Sequence, residues 1–397
     1  MQGSGICLRL MRPTLRREKR ILLSVPHMGG TEIKYVLSAF ESNWLSTVGP
    51  NLSNLEKRFS ELVGLPSVAL ANGTAGIHLG LKLLGIKQGD EVVTPTLTFA
   101  ASCNPLLYEK AVPVFIDSER ASWNLDPQLL ADFLRKRAKK NKLPKAVTVV
   151  HLFGQPADMD SIMEICNQYE LPVLEDAAEC LGARYKDKHP GTIAHVGVYS
   201  FNGNKIITGT TGGMLVAQRQ DWVDKARYWS TQARDPDPLG VNNYMHSEVG
   251  YNYRMSNVVA GIVLGQLEVL EFRVKQRRAI FERYKQAFAD LPGIEPMPEL
   301  KDTLPTHWLS CFLIDERRFG LSATELIKYL DTANVETRPV WKPMHTQKLY
   351  QGYECIGGAV AEELNKRGIC LPSSSSMTED EQEFVIQCIR SAAGSSQ

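Results

Sequence analysis

The sequence contains no run of eighteen or more uncharged apolar residues, which removes a membrane-spanning helix from consideration. It carries no excess of charge: 45 Lys+Arg face 44 Asp+Glu, a formal net charge of +1. A protein that holds nucleic acid by its phosphates shows a strong basic excess, so that class of partner is excluded too. The eight cysteines are scattered and none falls in a CxxC pair. A chain of 397 residues does not need disulfide staples, so buried free thiols in a reducing cytoplasm are expected. There is no GxGxxG and no GxxxxGKS/T, which weakens dinucleotide and P-loop readings. Internal repeats are absent, and no metal site is expected. The first twenty residues hold five arginines and a lysine without an apolar centre, so they form no secretory signal. A disordered extension is expected over residues 1–20.

What is present is a globular pattern. With 43% hydrophobic residues the chain can bury a sizeable core. From about residue 68, short apolar runs alternate with helical segments. Strands are expected at Ser67–Ala71, Glu91–Thr94, Val112–Asp117, Ala146–His151, Pro172–Glu175, Val196–Phe201 and Met214–Ala217. Continuous rather than alternating apolar runs belong to a sheet covered on both faces. Helices are expected at Thr74–Leu84, Ala100–Tyr108, Pro127–Lys140 and Met159–Tyr169, which completes an α/β architecture. Ser256 or Asn257 is placed to cap a long helical run toward Leu291. The domain division read from this is a large α/β domain over 21–270 and a small α+β domain over 271–397.

Three segments could carry chemistry. Ala71-Asn72-Gly73-Thr74-Ala75-Gly76 follows a strand and opens a helix. Free N–H groups and a hydroxyl at a helix N-terminus suit a phosphate, although alone the segment reads equally as an ordinary turn. Glu175-Asp176-Ala177-Ala178-Glu179 ends an apolar strand, at the edge of an α/β sheet where ligands bind. The small residues after Asp176 leave room for something flat. Ser200-Phe201-Asn202-Gly203-Asn204-Lys205 precedes the Gly/Thr-rich stretch Thr208–Gly213. A loop lysine is most often a solvated one, but a buried lysine can form a Schiff base. Phosphate cradle, strand-end carboxylate and loop lysine together are the components of a pyridoxal 5'-phosphate site.

With these motifs in this order, the chain resembles the sugar aminotransferases of the DegT/StrS group. The resemblance runs from Ile21 to the C-terminus. It is carried by Asn72–Ala75, Gly89–Pro95, Thr98-Phe99, Val114–Asp117, His151–Gln155, Glu175–Ala178, Ser200–Lys205 and Gly250–Arg254. It implies the aspartate-aminotransferase-like (type I) fold, a large α/β sheet domain with a small C-terminal α+β domain. Val25–Gly30, Tyr199–Thr208, Ser230–Arg234 and Thr337–His345 are most similar to UDP-4-amino-sugar enzymes of bacillosamine type. One departure is Thr210-Thr211, where the group commonly has more glycine.

The resemblance implies roles. Lys205 is the catalytic residue, which binds the cofactor covalently and carries protons. Asp176 pairs with the pyridine nitrogen, Phe99 stacks on one ring face and Ala178 packs against the other. Thr74, Ala75 and Ser200 hold the phosphate, and Glu179 lies near the cofactor hydroxyl. Asn252 reaches the phosphate of a neighbouring subunit, which makes the enzyme a homodimer with shared active sites. His345 and Arg338 are weaker candidates for the sugar. The implied reaction moves an amino group from L-glutamate to the 4-keto carbon of a nucleotide-linked 6-deoxy sugar, with UDP-2-acetamido-2,6-dideoxy-hexos-4-ulose as the expected substrate. A 3-keto-sugar aminotransferase is the nearest alternative, and a non-catalytic homologue the more distant one.

Overall fold

The computed structural model describes residues 15–241 and 243–394. Two helices, α1 (Glu32–Glu41) and α2 (Pro50–Val63), precede an alternation of strands and helices. The alternation runs β1 (Ser67–Leu70), α3 (Gly73–Leu83), β2 (Glu91–Pro95), α4 (Asn104–Tyr108), β3 (Val112–Ile116), α5 (Pro127–Ala138) and β4 (Ala146–Val150). It continues through α6 (Met159–Gln168), β5 (Val173–Asp176), the short β6 (Arg184–Tyr185), β7 (Val196–Ser200) and β8 (Gly213–Ala217). Helices α7 (Gln220–Ser230), α8 (Asn257–Leu267) and α9 (Leu270–Ala287) follow. The last part holds β9 (Ile294–Pro296), β10 (Thr303–Leu304), β11 (Ser310–Ile314), α10 (Glu316–Phe319), α11 (Ala323–Thr332) and β12 (Arg338–Pro339). It ends with β13 (Cys355–Ile356), α12 (Ala359–Arg367), β14 (Gly368–Leu371) and α13 (Glu379–Gly394).

The principal sheet has the order β1-β8-β7-β5-β4-β2-β3-β13. Strands β7, β5, β4, β2, β3 and β13 are parallel, whereas β8 runs antiparallel to both β7 and β1. Strand β1 therefore points the same way as β7, and the carboxyl ends of β1, β2, β5 and β7 all open on one edge. Every residue of β4, β5 and β8 is buried, which is why these strands read as unbroken apolar runs. A second, antiparallel sheet of order β12-β14-β11-β9 packs Phe312 and Ile314 against Phe281 and Tyr284 of α9 and Leu326 of α11.

Three expectations need correction. The helical run from Ser256 is two helices: Ser256 caps α8 by accepting from the Val259 N–H at 3.3 Å, but Val269 leaves helical geometry at φ −112° and ψ 7°. There Glu268 is drawn to the hydroxyls of Thr31 and Tyr35. The helix expected from Ala100 is a 3₁₀ turn over Ala100–Ser102 followed by α4, because Pro105 has no N–H to continue the ladder. Of the extension expected to be disordered, residues 1–14 lie outside the described residues, and 15–20 are tied to the end of α11. Asn334 Nδ2 donates to the carbonyls of Arg17 and Glu18, and Arg20 pairs with Asp331 at 2.6 Å.

Candidate active site

Five strand ends, those of β1, β2, β4, β5 and β7, converge on a cavity of about 280 Å³. After β1, Asn72 caps α3 by accepting from the Ala75 N–H at 2.8 Å. The Ala75 amide is thus used by the cap, and Ala75 is buried outside the lining. Gly73 and Thr74 line it at the start of the helix, where N–H groups have no intrahelical acceptor and the dipole favours an anion. A Cβ on Gly73 would stand 3.2 Å from the Ser200 Cβ, so glycine lets the end of β7 close on α3 and brings Ser200 to the same rim.

After β5, Asp176 is 6% exposed and points into the cavity. Its Oδ2 accepts from Ser102 Oγ at 2.7 Å and its Oδ1 from the Ala178 N–H at 3.1 Å. Ser102 Oγ in turn lies 2.7 Å from Thr98 Oγ1, so two hydroxyls from the segment after β2 brace the carboxylate. The neighbouring Glu175 faces the other way. Completely buried, it meets His151 Nε2 at 2.9 Å and accepts from the amides of Gly191, Ile193 and Ala194. That acid belongs to the scaffold.

Lys205 lies in the loop after β7, its side chain 14% exposed. Its Nζ is 3.4 Å from Glu179 Oε1 and 3.9 Å from the centroid of the Trp308 ring. Burial raises the pKa of Glu179 despite the nearby lysine, and its other oxygen accepts from the Phe153 N–H at 2.7 Å. Phe99, 56% exposed, stands at the mouth with its ring 5.5 Å from that of Trp341. Ala178 lines the cavity without filling it. The departure at Thr210-Thr211 is accommodated by a β-branched residue in a left-handed conformation: Thr210 has φ +71° and its N–H donates to Thr208 Oγ1 at 2.8 Å.

His345 and Arg338, expected to meet the sugar, lie outside the lining of this cavity, and Asn252, expected to act in a partner's site, lies away from the cavity of its own chain. His345 uses Nδ1 on Thr96 Oγ1 at 2.6 Å and Nε2 on Glu362 at 3.1 Å, outside the lining. Arg338 is exposed and paired with Glu336 at 2.6 Å. Asn252 is exposed too, bridged through its backbone to Thr231. In the other direction, Ser102, Trp308, Asn202 and Asn204 line the cavity although no role was expected for them. Ser102 carried a faint signal, being four residues beyond Thr98; Trp308 carried none.

The donor set suits a flat phosphate ester with a reactive aldehyde. It offers an anion-binding helix start, a braced carboxylate, a lysine amine, an aromatic ring and a small residue opposite. Pyridoxal 5'-phosphate has these parts in this order, and the residues present fit it.

Known proteins agree. The model of the DegT/DnrJ/EryC1/StrS aminotransferase family matches residues 26–390. EpsN of Bacillus subtilis, assigned by name to the pyridoxal phosphate-dependent aminotransferases, is 48% identical over 377 residues, covering 94% of this chain and 95% of that protein. GDP-perosamine synthase of Escherichia coli O157:H7 is 36% identical over 374 residues, covering 94% and 98%. Among solved structures, the aminotransferase TlmJ of Streptoalloteichus hindustanus superposes with a TM-score of 0.87 at 27% identity, over 95% of this chain and all (100%) of that one. The fold is that of the type I pyridoxal phosphate enzymes, and no described helix is long and apolar enough to cross a membrane. The chain belongs to the DegT/DnrJ/EryC1/StrS aminotransferase family and is a pyridoxal phosphate-dependent aminotransferase.

Proposed function

We propose that this enzyme moves the amino group of L-glutamate to the 4-keto carbon of a UDP-linked 2-acetamido-2,6-dideoxy-hexos-4-ulose. The observation that carries the transamination chemistry is the convergence of Lys205, Asp176 and the α3 N-terminus on one cavity. When bound there, the cofactor supplies an electron sink for charge developing on the substrate carbon. Gly73, Thr74 and Ser200 hold its phosphate, and the N–H groups at the helix start make that grip possible. Asp176, braced by Ser102 and Ala178, keeps a proton on the ring nitrogen. Phe99 covers one ring face and Ala178 leaves space at the other. Lys205 Nζ, 3.4 Å from Glu179 Oε1, would hold the cofactor and would take and return the proton at the substrate carbon.

The working unit is a homodimer, in which Asn252 of each chain completes the phosphate site of its partner. Helix α1 supports this reading. Ile33, Leu37 and Phe40 repeat at helical spacing on its outer side and are all more than half exposed, and Trp44, Leu45 and Val48 extend the apolar surface beyond it. A continuous apolar patch of this kind marks an interface. The seven cysteines among the described residues are free thiols, in keeping with a cytoplasmic enzyme.

The sugar rests on Val25–Gly30 and Thr337–His345, segments outside the cofactor constellation. A GDP-linked sugar is the competing reading, favoured by the 36% identity to a GDP-perosamine synthase. The reverse half-reaction separates them. The UDP-4-amino sugar is expected to bleach the visible band of the loaded enzyme faster than GDP- or dTDP-linked 4-amino sugars. Such discrimination follows from unpaired polar groups left in the pocket by the wrong ligand. A higher kcat/KM for a GDP- or dTDP-linked sugar, or for a 3-amino sugar, would overturn the assignment.

A further inference from the structure

The indole of Trp308 makes two contacts with the catalytic loop. Its Nε1 donates to the Asn204 carbonyl at 2.6 Å, and its face lies 3.9 Å from the Nζ of the next residue, Lys205. Trp308 itself is 2% exposed, stacked at 26° on Phe153 with ring centroids 6.4 Å apart, and its carbonyl accepts from the buried guanidinium of Arg277. A side chain fixed this firmly offers a rigid aromatic surface to a mobile amine.

We infer that Trp308 is a positioning residue that seats the Lys205 ammonium whenever that nitrogen is free of cofactor. The inference rests on the reading that Lys205 carries the cofactor. An ammonium held over an indole away from water is bound strongly, because few water molecules compete for its charge. Glu179 at 3.4 Å supplies the counter-charge from another direction. Once the nitrogen is bonded to cofactor, it no longer presents a compact ammonium with three N–H groups to the ring. The contact therefore belongs to one of the two resting forms, the one in which the cofactor holds the amino group and the lysine is released. An interaction present in only one of two states shifts the equilibrium toward that state by its own free energy. Trp308 biases the enzyme toward the aminated form, ready to meet the keto sugar.

Two measurements test this. In the cofactor-free protein, Lys205→Met is expected to change tryptophan emission, and the same substitution in a Trp308→Phe background to leave it unaltered. Emission that is indifferent to Lys205→Met in the parent protein would show that the contact is absent and overturn the inference. In the loaded enzyme, spectra are recorded at fixed ratios of L-glutamate to 2-oxoglutarate. Trp308→Leu is expected to shift the equilibrium about tenfold away from the aminated form, and Trp308→Phe, which keeps a ring, by much less. An unchanged equilibrium in a folded Trp308→Leu protein would also overturn it. Borohydride reduction keeps the two levels apart: label on another lysine defeats the functional reading, whereas label on Lys205 with an unmoved equilibrium defeats only the role of Trp308.

Discussion

Ser102 Oγ donates to Asp176 Oδ2 across 2.7 Å, and Thr98 Oγ1 stands 2.7 Å behind it. The carboxylate at the end of β5 is thereby held by a segment 74 residues away in the chain. Asp176→Asn keeps the shape and much of the hydrogen bonding but removes the charge. The variant is expected to fold, to bind cofactor and to lose roughly a hundredfold in turnover, the scale seen when one electrostatic partner of a reaction is deleted. Turnover near that of the parent enzyme would show that Asp176 does not govern the ring nitrogen.

Lys205 is expected to be the one residue labelled when the loaded enzyme is reduced with borohydride and mapped by peptide. Lys205→Ala should remain folded, take no label and have no measurable transamination. Its Nζ borders an open cavity beside Glu179 and the Trp308 ring, so little packing is lost with it.

The shared site predicts complementation. Lys205→Ala and Asn252→Ala are each expected to be inactive, while a mixed dimer should recover activity, since one of its two sites receives both native residues. Phe40→Glu places a charge in the apolar stripe of α1 and is expected to shift the protein toward monomer in sedimentation experiments, with activity falling in parallel. Inactive mixed dimers of confirmed composition would count against a shared site.

Acid should weaken the fold through His189. Burial, with the charge of Arg184 adding to it, pushes this histidine from 6.5 down to about 4. The folded chain refuses a proton that the unfolded chain accepts. Above about pH 6.5 His189 is neutral in both states and costs nothing, and as the pH falls toward 4 the folded state loses stability, by about 3 kcal/mol at the lower end. His189→Gln is expected to match the parent in thermal midpoint at pH 7.5 and exceed it at pH 5. Parallel pH profiles for the two proteins would exclude this cause.

The α/β alternation was legible because strands such as Ala146–Val150 are buried on both faces and so leave an unbroken apolar signature. The cavity-lining residues Thr74, Asp176 and Lys205 could be singled out in the sequence because each sits in a short segment at a strand end, where local order along the chain mirrors order in space. Contacts between distant segments could not. Ser102 reaches Asp176, and Trp308 reaches Lys205, through the tertiary fold, and a single sequence does not pair residues so far apart along the chain. Nor could the sequence show that His345 is bonded to Thr96 and Glu362, two residues far from it along the chain. The acids of Glu175-Asp176 look alike in sequence, but a strand turns successive side chains to opposite faces, so one became scaffold and the other site.

The carbonyl of Asn204 accepts from both Ser24 Oγ at 2.7 Å and Trp308 Nε1 at 2.6 Å. During synthesis the first of these donors leaves the ribosome long before the lysine loop, and the second emerges about a hundred residues after it. A nascent chain that already displays every strand of the principal sheet except β13 still lacks the clamp on its reactive amine. The seat that Trp308 offers the free amine therefore arrives only with the C-terminal third of the protein.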